Sequence, residues 1–211
     1  MAEPEQVTTF AERAAELLRA GQLVAVPTDT QYALSALSAQ GAAVMQCFAL
    51  KRRSDDDAMP LFLPDVSWLD VVATDVAAEA RSLAEAVWPG ALTLVLRRNP
   101  EWRSLASPGK TVAVRIPDHP LALALLAAVD APITGSSANR HGEPAALTAE
   151  QVNEVFGDAV TVMPTLGIAP QGTASTILDC TGDAPQIVRS GAVDEARVAD
   201  LLGRHLAASS N

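Results

Sequence analysis

Hydrophobic positions along the chain fall into two patterns, short continuous apolar runs and longer segments with helical spacing. The apolar runs predict strands at 23–26, 61–63, 91–96, 111–116, 132–134, 160–162, 175–178 and 186–188. The segments with helical spacing predict helices at 10–20, 42–50, 75–87, 120–129, 149–156 and 195–206. Strands and helices interleave, and the strands are almost continuously apolar. This pattern favours an α/β fold in which helices cover the sheet.

Local signals mark the ends of several predicted helices. Thr8 and Thr9 are expected to cap the first helix, and Gly21 is expected to end it. No internal repeat and no linker rich in glycine, serine or proline divides the chain. We therefore predict one domain over residues 1–211, with a short tail after the last helix. Residues 164–172 form the longest irregular segment, which we interpret as a mobile loop.

Composition and charge narrow the classes of protein to consider. The 211 residues are 49% hydrophobic and 19% charged, and 15 basic against 25 acidic residues give a net charge of −10. Such a chain buries a large core and does not coat nucleic acid or anionic membranes unspecifically. Its acidic N-terminus lacks the features of a secretory signal, and the longest apolar run, 121–129, is shorter than the roughly 20 residues of a membrane-spanning helix. We expect a soluble, cytoplasmic protein without a membrane partner.

The cysteines and histidines give little sign of catalytic or metal chemistry. Cys47 and Cys180 lie in apolar segments far apart, so we interpret them as reduced core cysteines, with a disulfide or a metal pair as the alternative. No further cysteine or nearby histidine completes a ligand set, so no metal site is predicted. His119, His141 and His205 show no partnership with a base or acid. Because the glycine-x-serine-x-glycine elbow is also absent, the sequence argues against a serine hydrolase.

Four polar clusters follow predicted strands or helices, where open α/β sheets bind ligands. They are Pro27 to Tyr32, Lys51-Arg52-Arg53, Gly135 to Asn139, and Ala174 to Asp179 together with Val188 to Ala192. The first cluster could equally be an ordinary turn or helix cap, and the second a solvated helix C-terminus. Three adjacent cations in an acidic protein could instead bind phosphates, with Lys51 and Arg53 facing the ligand and Arg52 pointing elsewhere. Neither a Walker A nor a dinucleotide fingerprint is present, so ATP would need another scaffold.

Read in order, these segments resemble the YrdC-like family of threonylcarbamoyl-AMP synthases over about residues 10–193. The matching motifs are 27–34, 51–53, 60–61, 88–90, 114–117, 137–139, 175–179 and 189–191. The resemblance implies a twisted, mostly mixed β-sheet flanked by helices around a deep cavity. It also implies synthesis of threonylcarbamoyl-AMP and pyrophosphate from L-threonine, bicarbonate or CO2, and ATP. Separate threonylcarbamoyl-transferase proteins would then pass the group to tRNA, which the chain could also contact itself.

The family's pattern assigns roles to matching residues of this chain. Lys51 and Arg53 are implied as the catalytic residues, holding ATP phosphates together with Mg²⁺. Nucleotide contacts are implied for Ser137, Asn139, Ser175 and Arg189. Threonine contacts are implied for Thr28, Tyr32 and Arg115. The arginine suits a carboxylate because its guanidinium can form a two-pronged contact.

Departures from the family's pattern leave other functions open. They are Ala33, Ser54, the insertion-bearing run Asp55 to Asp57, His141 and Ala174. The three aspartates could form a solvated loop, hold a metal ion, or belong to a pocket adapted to other chemistry. The alternatives to synthesis are therefore a family member that binds RNA or a nucleotide, and an enzyme acting on a different carbamoyl or acyl adenylate. Only 4% aromatic residues and the acidic charge argue against the RNA-binding alternative.

Overall fold

The computed structural model describes residues 3–203, whose strands form two sheets. The four-stranded sheet has the order β7-β2-β1-β8, with β1 at Val24–Pro27, β2 at Tyr32–Ser35, β7 at Ser136–Ser137 and β8 at Thr161–Val162. The six-stranded sheet has the order β10-β9-β4-β5-β3-β6, with β3 at Leu61–Phe62, β4 at Leu92–Arg97, β5 at Thr111–Arg115, β6 at Ile133–Thr134, β9 at Thr176–Asp179 and β10 at Gln186–Arg189. The α-helices are α1 Pro4–Arg19, α2 Gly41–Lys51, α3 Leu69–Val72, α4 Ala78–Val87, α5 Pro120–Val129, α6 Ala149–Phe156 and α7 Glu195–Leu202.

Both sheets contain parallel and antiparallel neighbours, so the predicted mixed α/β class is confirmed. In the smaller sheet, β1 is antiparallel to β2 and parallel to β8. In the larger sheet, β4 is antiparallel to β5 and parallel to β9. The strands are divided between two sheets, however, rather than forming the one sheet that the sequence suggested.

Strand β1 is apolar throughout because it separates two hydrophobic clusters. Ala25 packs into the larger cluster, which contains Leu34, Phe48 and Leu94. Val24 and Val26 point the other way, into a smaller cluster formed with α1 and α5. Side chains of a strand alternate between its faces, so a strand buried on both sides shows no polar alternation.

Thr134 joins the two sheets. This buried β6 residue donates its backbone N–H to the carbonyl oxygen of Ala36 over 2.8 Å. Its hydroxyl accepts from the N–H of Ala36 at 2.9 Å and donates to the carbonyl oxygen of Leu34 at 3.1 Å. One threonine thereby satisfies backbone groups of β2 and of the residue after it. The chain then passes through Gly135 into β7, which belongs to the other sheet.

Most predicted helices are present, and two match in both bounds. Helices α5 and α6 span the predicted residues. The predicted cap of the first helix was wrong, because α1 begins at Pro4 and Thr8 and Thr9 lie inside it. Their hydroxyls donate to the carbonyl oxygens of Pro4 and Glu5, at 3.1 and 2.9 Å. Proline at the first helical position and hydroxyls bonded one turn back explain how the helix extends past the expected cap.

Some other helices and strands differ in their bounds from the predictions. Helix α4 begins at Ala78 rather than at residue 75, and Asp75 has a positive φ of 52° that a helix start does not accommodate. Strand β2 and helix α3 were not predicted, since each is only four residues long. The predicted end of the last helix, its tail and His205 lie outside the described residues.

Two further features bear on the expectations from composition. Cys47 and Cys180 are both buried and free, which agrees with their interpretation as core cysteines. Within residues 3–203, no helix combines the length and the apolar character needed to cross a membrane.

Replacing Thr134 tests the junction between the sheets. Thr134→Val keeps the side-chain volume but leaves the N–H of Ala36 without its hydroxyl acceptor in a buried site. We expect a loss of about 1–3 kcal/mol in the free energy of unfolding, measured by urea denaturation. Thr134→Ser retains the hydroxyl and should lose less. Equal stability of Thr134→Val and the native chain would show that the hydroxyl does not hold the sheets together.

Candidate active site

A cavity of about 140 Å³ lies between the two sheets. The turn after β1 and the adjacent strands β2 and β7 line one side of it, and β4, β5 and β9 line the other. Seven of the predicted site residues line this cavity, namely Thr28, Tyr32, Arg53, Arg115, Ser137, Ser175 and Arg189. Lys51 and Asn139 do not line it but contact Ser137 from behind. Distant segments of the sequence therefore meet at one place.

The turn from Thr28 to Tyr32 is organised by a threonine hydroxyl. The Oγ1 of Thr28 donates to the carbonyl oxygen of Gln31 at 2.6 Å and accepts from the N–H groups of Thr30 and Gln31. The structural interpretation of this cluster as a turn is therefore correct, and the turn also borders the cavity. Tyr32 is buried, and its hydroxyl donates to the carbonyl oxygen of Met163 at 2.9 Å. Burial, aided by Glu150, raises the pKa of Tyr32 to about 12, so its hydroxyl stays neutral.

Arg115 links the two sides of the cavity. It lies at the end of β5 and is only 4% exposed. Its guanidinium forms an ion pair with Asp29 and donates to Thr30 Oγ1 at 2.9 Å and to the carbonyl oxygen of Gly90 at 2.8 Å. Burial lowers the pKa of Arg115 while Asp29 opposes this, and an arginine remains charged under such conditions. Three of its five N–H donors are used by described residues, which leaves two for a ligand.

Lys51 ends helix α2 and is buried behind the cavity wall. Its ammonium donates to the carbonyl oxygen of Ser137, and to the carbonyl oxygen and Oδ1 of Asn139, both at 2.9 Å. The hydroxyl of Ser137 in turn donates to Asn139 Oδ1 at 2.7 Å. Lys51 therefore fixes the turn that presents Ser137 to the cavity. Its predicted contact with phosphate stays a prediction.

Burial lowers the pKa of Lys51 to about 8, and the positive charge of Arg53 contributes to the shift. The nearby Cys47 opposes this shift. With a pKa of about 8, most Lys51 side chains are charged at neutral pH, and most lose the proton in mildly alkaline solution.

Arg53 lines the cavity, and the adjacent acidic loop lies in solvent. Arg53 donates to the carbonyl oxygen of Ala58 at 2.7 Å, and its Nε lies 3.4 Å from a carboxylate oxygen of Asp57 without hydrogen-bond geometry. Asp55 and Asp56 are exposed. Arg52, with a positive φ of 51°, is exposed as well and does not line the cavity.

The three aspartates of the acidic loop are all exposed. In the part of the chain that the structure describes, no group of three histidine, cysteine, aspartate or glutamate side chains is placed to hold a metal ion. The exposure of Asp55 and Asp56 and the ion pair of Asp57 with Arg53 agree with the solvated-loop interpretation of residues 55–57.

Ser175 is held by a second arginine and by a threonine that the sequence analysis missed. Arg189 donates to the carbonyl oxygen of Ser175 at 2.8 Å and to its Oγ at 3.1 Å. The hydroxyls of Thr93 and Ser175 lie 2.8 Å apart. The signal for Thr93 was a hydroxyl within the otherwise apolar strand 91–96.

Phe62 lines the cavity without having been predicted as a site residue, and Gly135 lines it as the first residue of the predicted cluster 135–139. The guanidinium of Arg115 lies 6.0 Å from the centre of the Phe62 ring. A Cβ atom on Gly135 would lie 2.5 Å from that ring, so only glycine lets the backbone pass this close. No local sequence signal could have revealed this packing, because it joins β3 to the connection between β6 and β7.

The irregular segment 164–172 contacts the same turn. The N–H groups of Gln171 and Gly172 donate to the carbonyl oxygens of Asp29 and Thr30, at 3.0 and 2.9 Å. His119 Nε2 lies 3.1 Å from the carbonyl oxygen of Ile168, while its Nδ1 accepts from the N–H of Leu121. His119 thus caps α5 and anchors the segment, and burial lowers its pKa. This structural role accounts for the histidine without catalysis.

The protein is a two-sheet α/β protein in which hydroxyl and arginine side chains converge on one cavity, a lining suited to an anionic small molecule. The model of the Sua5/YciO/YrdC family, described as "Telomere recombination", matches residues 16–191. The chain belongs to this family, as the sequence motifs indicated.

Relatives and solved structures agree with this assignment. A Mycobacterium tuberculosis (strain ATCC 25618 / H37Rv) relative is 38% identical over 96% of this chain and 93% of its own length. The Bacillus subtilis (strain 168) protein named threonylcarbamoyl-AMP synthase is 35% identical over 90% of this chain, which spans 56% of that relative. The structure of P. abyssi Sua5 complexed with L-threonine is 31% identical, with a TM-score of 0.86 over 97% of this chain and 59% of that one. E. coli YciO has a TM-score of 0.80 at 26% identity, over 90% and 93% of the two chains.

The pKa of Lys51 can be measured directly because the chain contains only two lysines, Lys51 and Lys110. We expect the Cε signal that disappears in Lys51→Met to titrate with a midpoint about 8 in ¹³C NMR, since burial disfavours the charged ammonium. Lys110→Gln assigns the second signal independently. A Lys51 midpoint at or above the ordinary value of 10.5 would contradict the desolvated position described here.

Proposed function

We propose that this chain is an L-threonylcarbamoyladenylate synthase that forms threonylcarbamoyl-AMP and pyrophosphate from L-threonine, bicarbonate or CO2, and ATP. The observation that carries the proposal is the convergence of Arg53, Arg115 and Arg189 on one cavity in a chain with a net charge of −10. A carboxylate and a triphosphate are the anions that such a site would bring together. Membership of a family that includes named threonylcarbamoyl-AMP synthases supports these two ligands in particular.

The threonine subsite is assigned to the Arg115 side of the cavity. Two unused N–H donors of Arg115 can bind the two oxygens of an α-carboxylate. Thr28 and Tyr32 border the same region and would enclose the amino acid side chain. Both hydroxyls already make internal hydrogen bonds, so they would shape the subsite more than contribute new donors.

The nucleotide subsite is assigned to the opposite side. Arg53 and Arg189 would neutralise phosphate oxygens, and the hydroxyl of Ser175 would donate to one of them. The hydroxyl of Ser137 already donates to Asn139, so Ser137 would border this subsite rather than add a donor. Lys51 adds positive charge from behind Ser137 and, with Asn139, holds the serine in place. This division gives each ligand at least one arginine.

The proposed chemistry needs positioning and charge neutralisation rather than a protein nucleophile. The amine of threonine adds to CO2, loses a proton and becomes a carbamate. A carbamate oxygen then attacks the α-phosphorus of ATP, and the bond to the bridging oxygen breaks to release pyrophosphate. Holding the two reactants in line lowers the barrier by removing the entropy cost of their encounter.

Mg²⁺ would accompany the ATP phosphates rather than occupy a protein cage. The described residues offer no cluster of three metal-binding side chains, and Asp29 is committed to Arg115. Mg²⁺ in nucleotide sites commonly keeps several waters and binds substrate phosphates. The ion would supply charge neutralisation there.

The product of this reaction is a reactive mixed anhydride that must be consumed by a further transfer. We assign that step to separate threonylcarbamoyl-transferase proteins that modify tRNA, with the cytoplasm as the compartment. Direct contact of this chain with tRNA belongs to the same proposal.

Pyrophosphate release from ATP, bicarbonate, L-threonine and Mg²⁺ tests the activity, with threonylcarbamoyl-AMP identified by mass spectrometry. Lys51→Ala should lower kcat/KM at least about tenfold, equivalent to ~1.4 kcal/mol of transition-state stabilisation. Arg52→Ala is the matched control, because it removes the adjacent charge from an exposed side chain outside the cavity. It should retain activity within about twofold.

The contrary results separate the alternative functions. Folded native protein that binds ATP but makes no product with L-threonine would favour a different acyl partner, to be sought by offering L-serine and other amino acids. Neither product nor ATP binding, together with salt-sensitive RNA affinity, would favour a binding protein.

Arg115→Lys tests the assignment of the threonine subsite. A lysine keeps the positive charge but cannot pair with Asp29 and a ligand carboxylate in the same forked geometry. We expect the KM for L-threonine to rise at least about tenfold while the KM for ATP changes about twofold or less. Circular dichroism checks that the variant is folded. A larger rise in the KM for ATP would place Arg115 in the nucleotide subsite instead.

A further inference from the structure

A second cavity, of about 380 Å³, lies at the N-terminus of helix α2 and shares no lining residue with the candidate active site. We call it the α2 cavity. The lining residues that matter here are Gly41, Arg98, Arg103, Ser104, Leu105 and Ser107. Two are cationic, and no acidic side chain lines this cavity. Because the whole chain is acidic, this local charge is unusual.

Helix α2 presents unpaired backbone donors at this end. Gln40 precedes the helix without a side-chain cap, and the first intrahelical bond runs from the N–H of Val44 to the carbonyl oxygen of Gln40. Among the described residues, the N–H groups of Gly41, Ala42 and Ala43 have no hydrogen-bond partner, and of these three residues Gly41 lines the α2 cavity. Free N–H groups and the positive end of the helix dipole together favour an anion.

Ser107 provides a second, independent observation at this cavity. The residue is 1% exposed, lines the α2 cavity, and its hydroxyl has no partner within residues 3–203. The preceding turn is well fixed, because Ser104 donates its hydroxyl to the carbonyl oxygen of Ser38 at 2.7 Å and its carbonyl accepts from the N–H of Ser107. Buried hydroxyls are normally paired, so a ligand in the cavity would complete the hydrogen bonding of Ser107.

The two arginines play different parts. Arg98 is committed to the carbonyl oxygens of Gly109 and Trp102, at 2.8 and 2.6 Å, so it supplies a fixed charge. Arg103 is exposed and makes no hydrogen bond or ion pair with another described residue, so its guanidinium can turn to a ligand. A forked guanidinium, a hydroxyl and a helix N-terminus match the several oxygens of a phosphate group.

We propose that the α2 cavity binds a single phosphate group, either free inorganic phosphate or a phosphate of an RNA backbone. Leu105 packs closely on Gly41, since a Cβ there would lie 3.0 Å from its Cδ1, and therefore borders the helix N-terminus. The site is distinct from the nucleotide subsite. Gly41 and Lys51 lie at opposite ends of the 11-residue helix α2, about 15 Å apart along its axis.

Titration of ¹⁵N-labelled protein with inorganic phosphate, followed by NMR, tests the proposal. Saturable shifts are expected for the amides of Gly41 and Ser107, whereas phosphate bound in the candidate active site would shift Ser137 and Ser175. Ser107→Ala and Arg103→Gln should each weaken the phosphate Kd reported by Gly41 about fivefold or more. Lys110→Gln removes one exposed charge outside the cavity and should leave that Kd unchanged.

A short RNA hairpin, titrated in the same way, distinguishes the source of the phosphate. Shifts at Gly41 and Ser107 with RNA at concentrations far below those of phosphate, weakened by salt, would identify an RNA backbone. Shifts with phosphate alone would identify a free anion. The proposal fails if neither probe shifts these amides, or if Ser107→Ala and Arg103→Gln respond like the native chain.

Discussion

The buried ion pair between Arg115 and Asp29 is the interaction on which the rest of the structure depends. It joins β5 of the larger sheet to the turn after β1 in the smaller one. Asp29 also accepts from the N–H of Asp118, and its carbonyl oxygen accepts from Gln171, so its own turn meets segments 115–118 and 164–172 at this residue. A buried pair gains little net stability, because desolvation offsets attraction, but removing one partner costs roughly 3–5 kcal/mol. The pair therefore specifies how the sheets meet more than it stabilises them.

This arrangement explains how an acidic protein can offer an anion site. The net charge of −10 is spread over the surface, whereas the cavity between the sheets receives arginines from three separate segments. Internal hydrogen bonds fix Arg115 and Arg189 before any ligand arrives. Fixed charges of this kind need no reorganisation when a charged transition state forms, which is the property that phosphoryl transfer requires.

Several residues outside the cavity lining hold the lining residues in place. Lys51 holds the turn containing Ser137, Thr93 and Arg189 hold Ser175, and His119 anchors the segment that contacts Asp29. Sequence motifs identify residues that occur together in a family, but they do not separate those that contact a ligand from those that position the contact. Lys51 illustrates this, since its ammonium faces backbone oxygens rather than the cavity.

The sequence by itself determined the α/β class, most helices and strands, the family and seven of the residues that line the cavity. Hydrophobic periodicity and capping residues act over a few neighbouring positions, so the helices and strands that they produce can be recognised in the sequence. Only the tertiary structure decided that the strands form two sheets, that Thr134 joins them, and that Thr93 and Phe62 border the site. It also decided that α1 begins at Pro4 and that Arg115 pairs with Asp29. These features depend on contacts between residues far apart in the chain, and a local sequence pattern contains no information about the energies of such contacts.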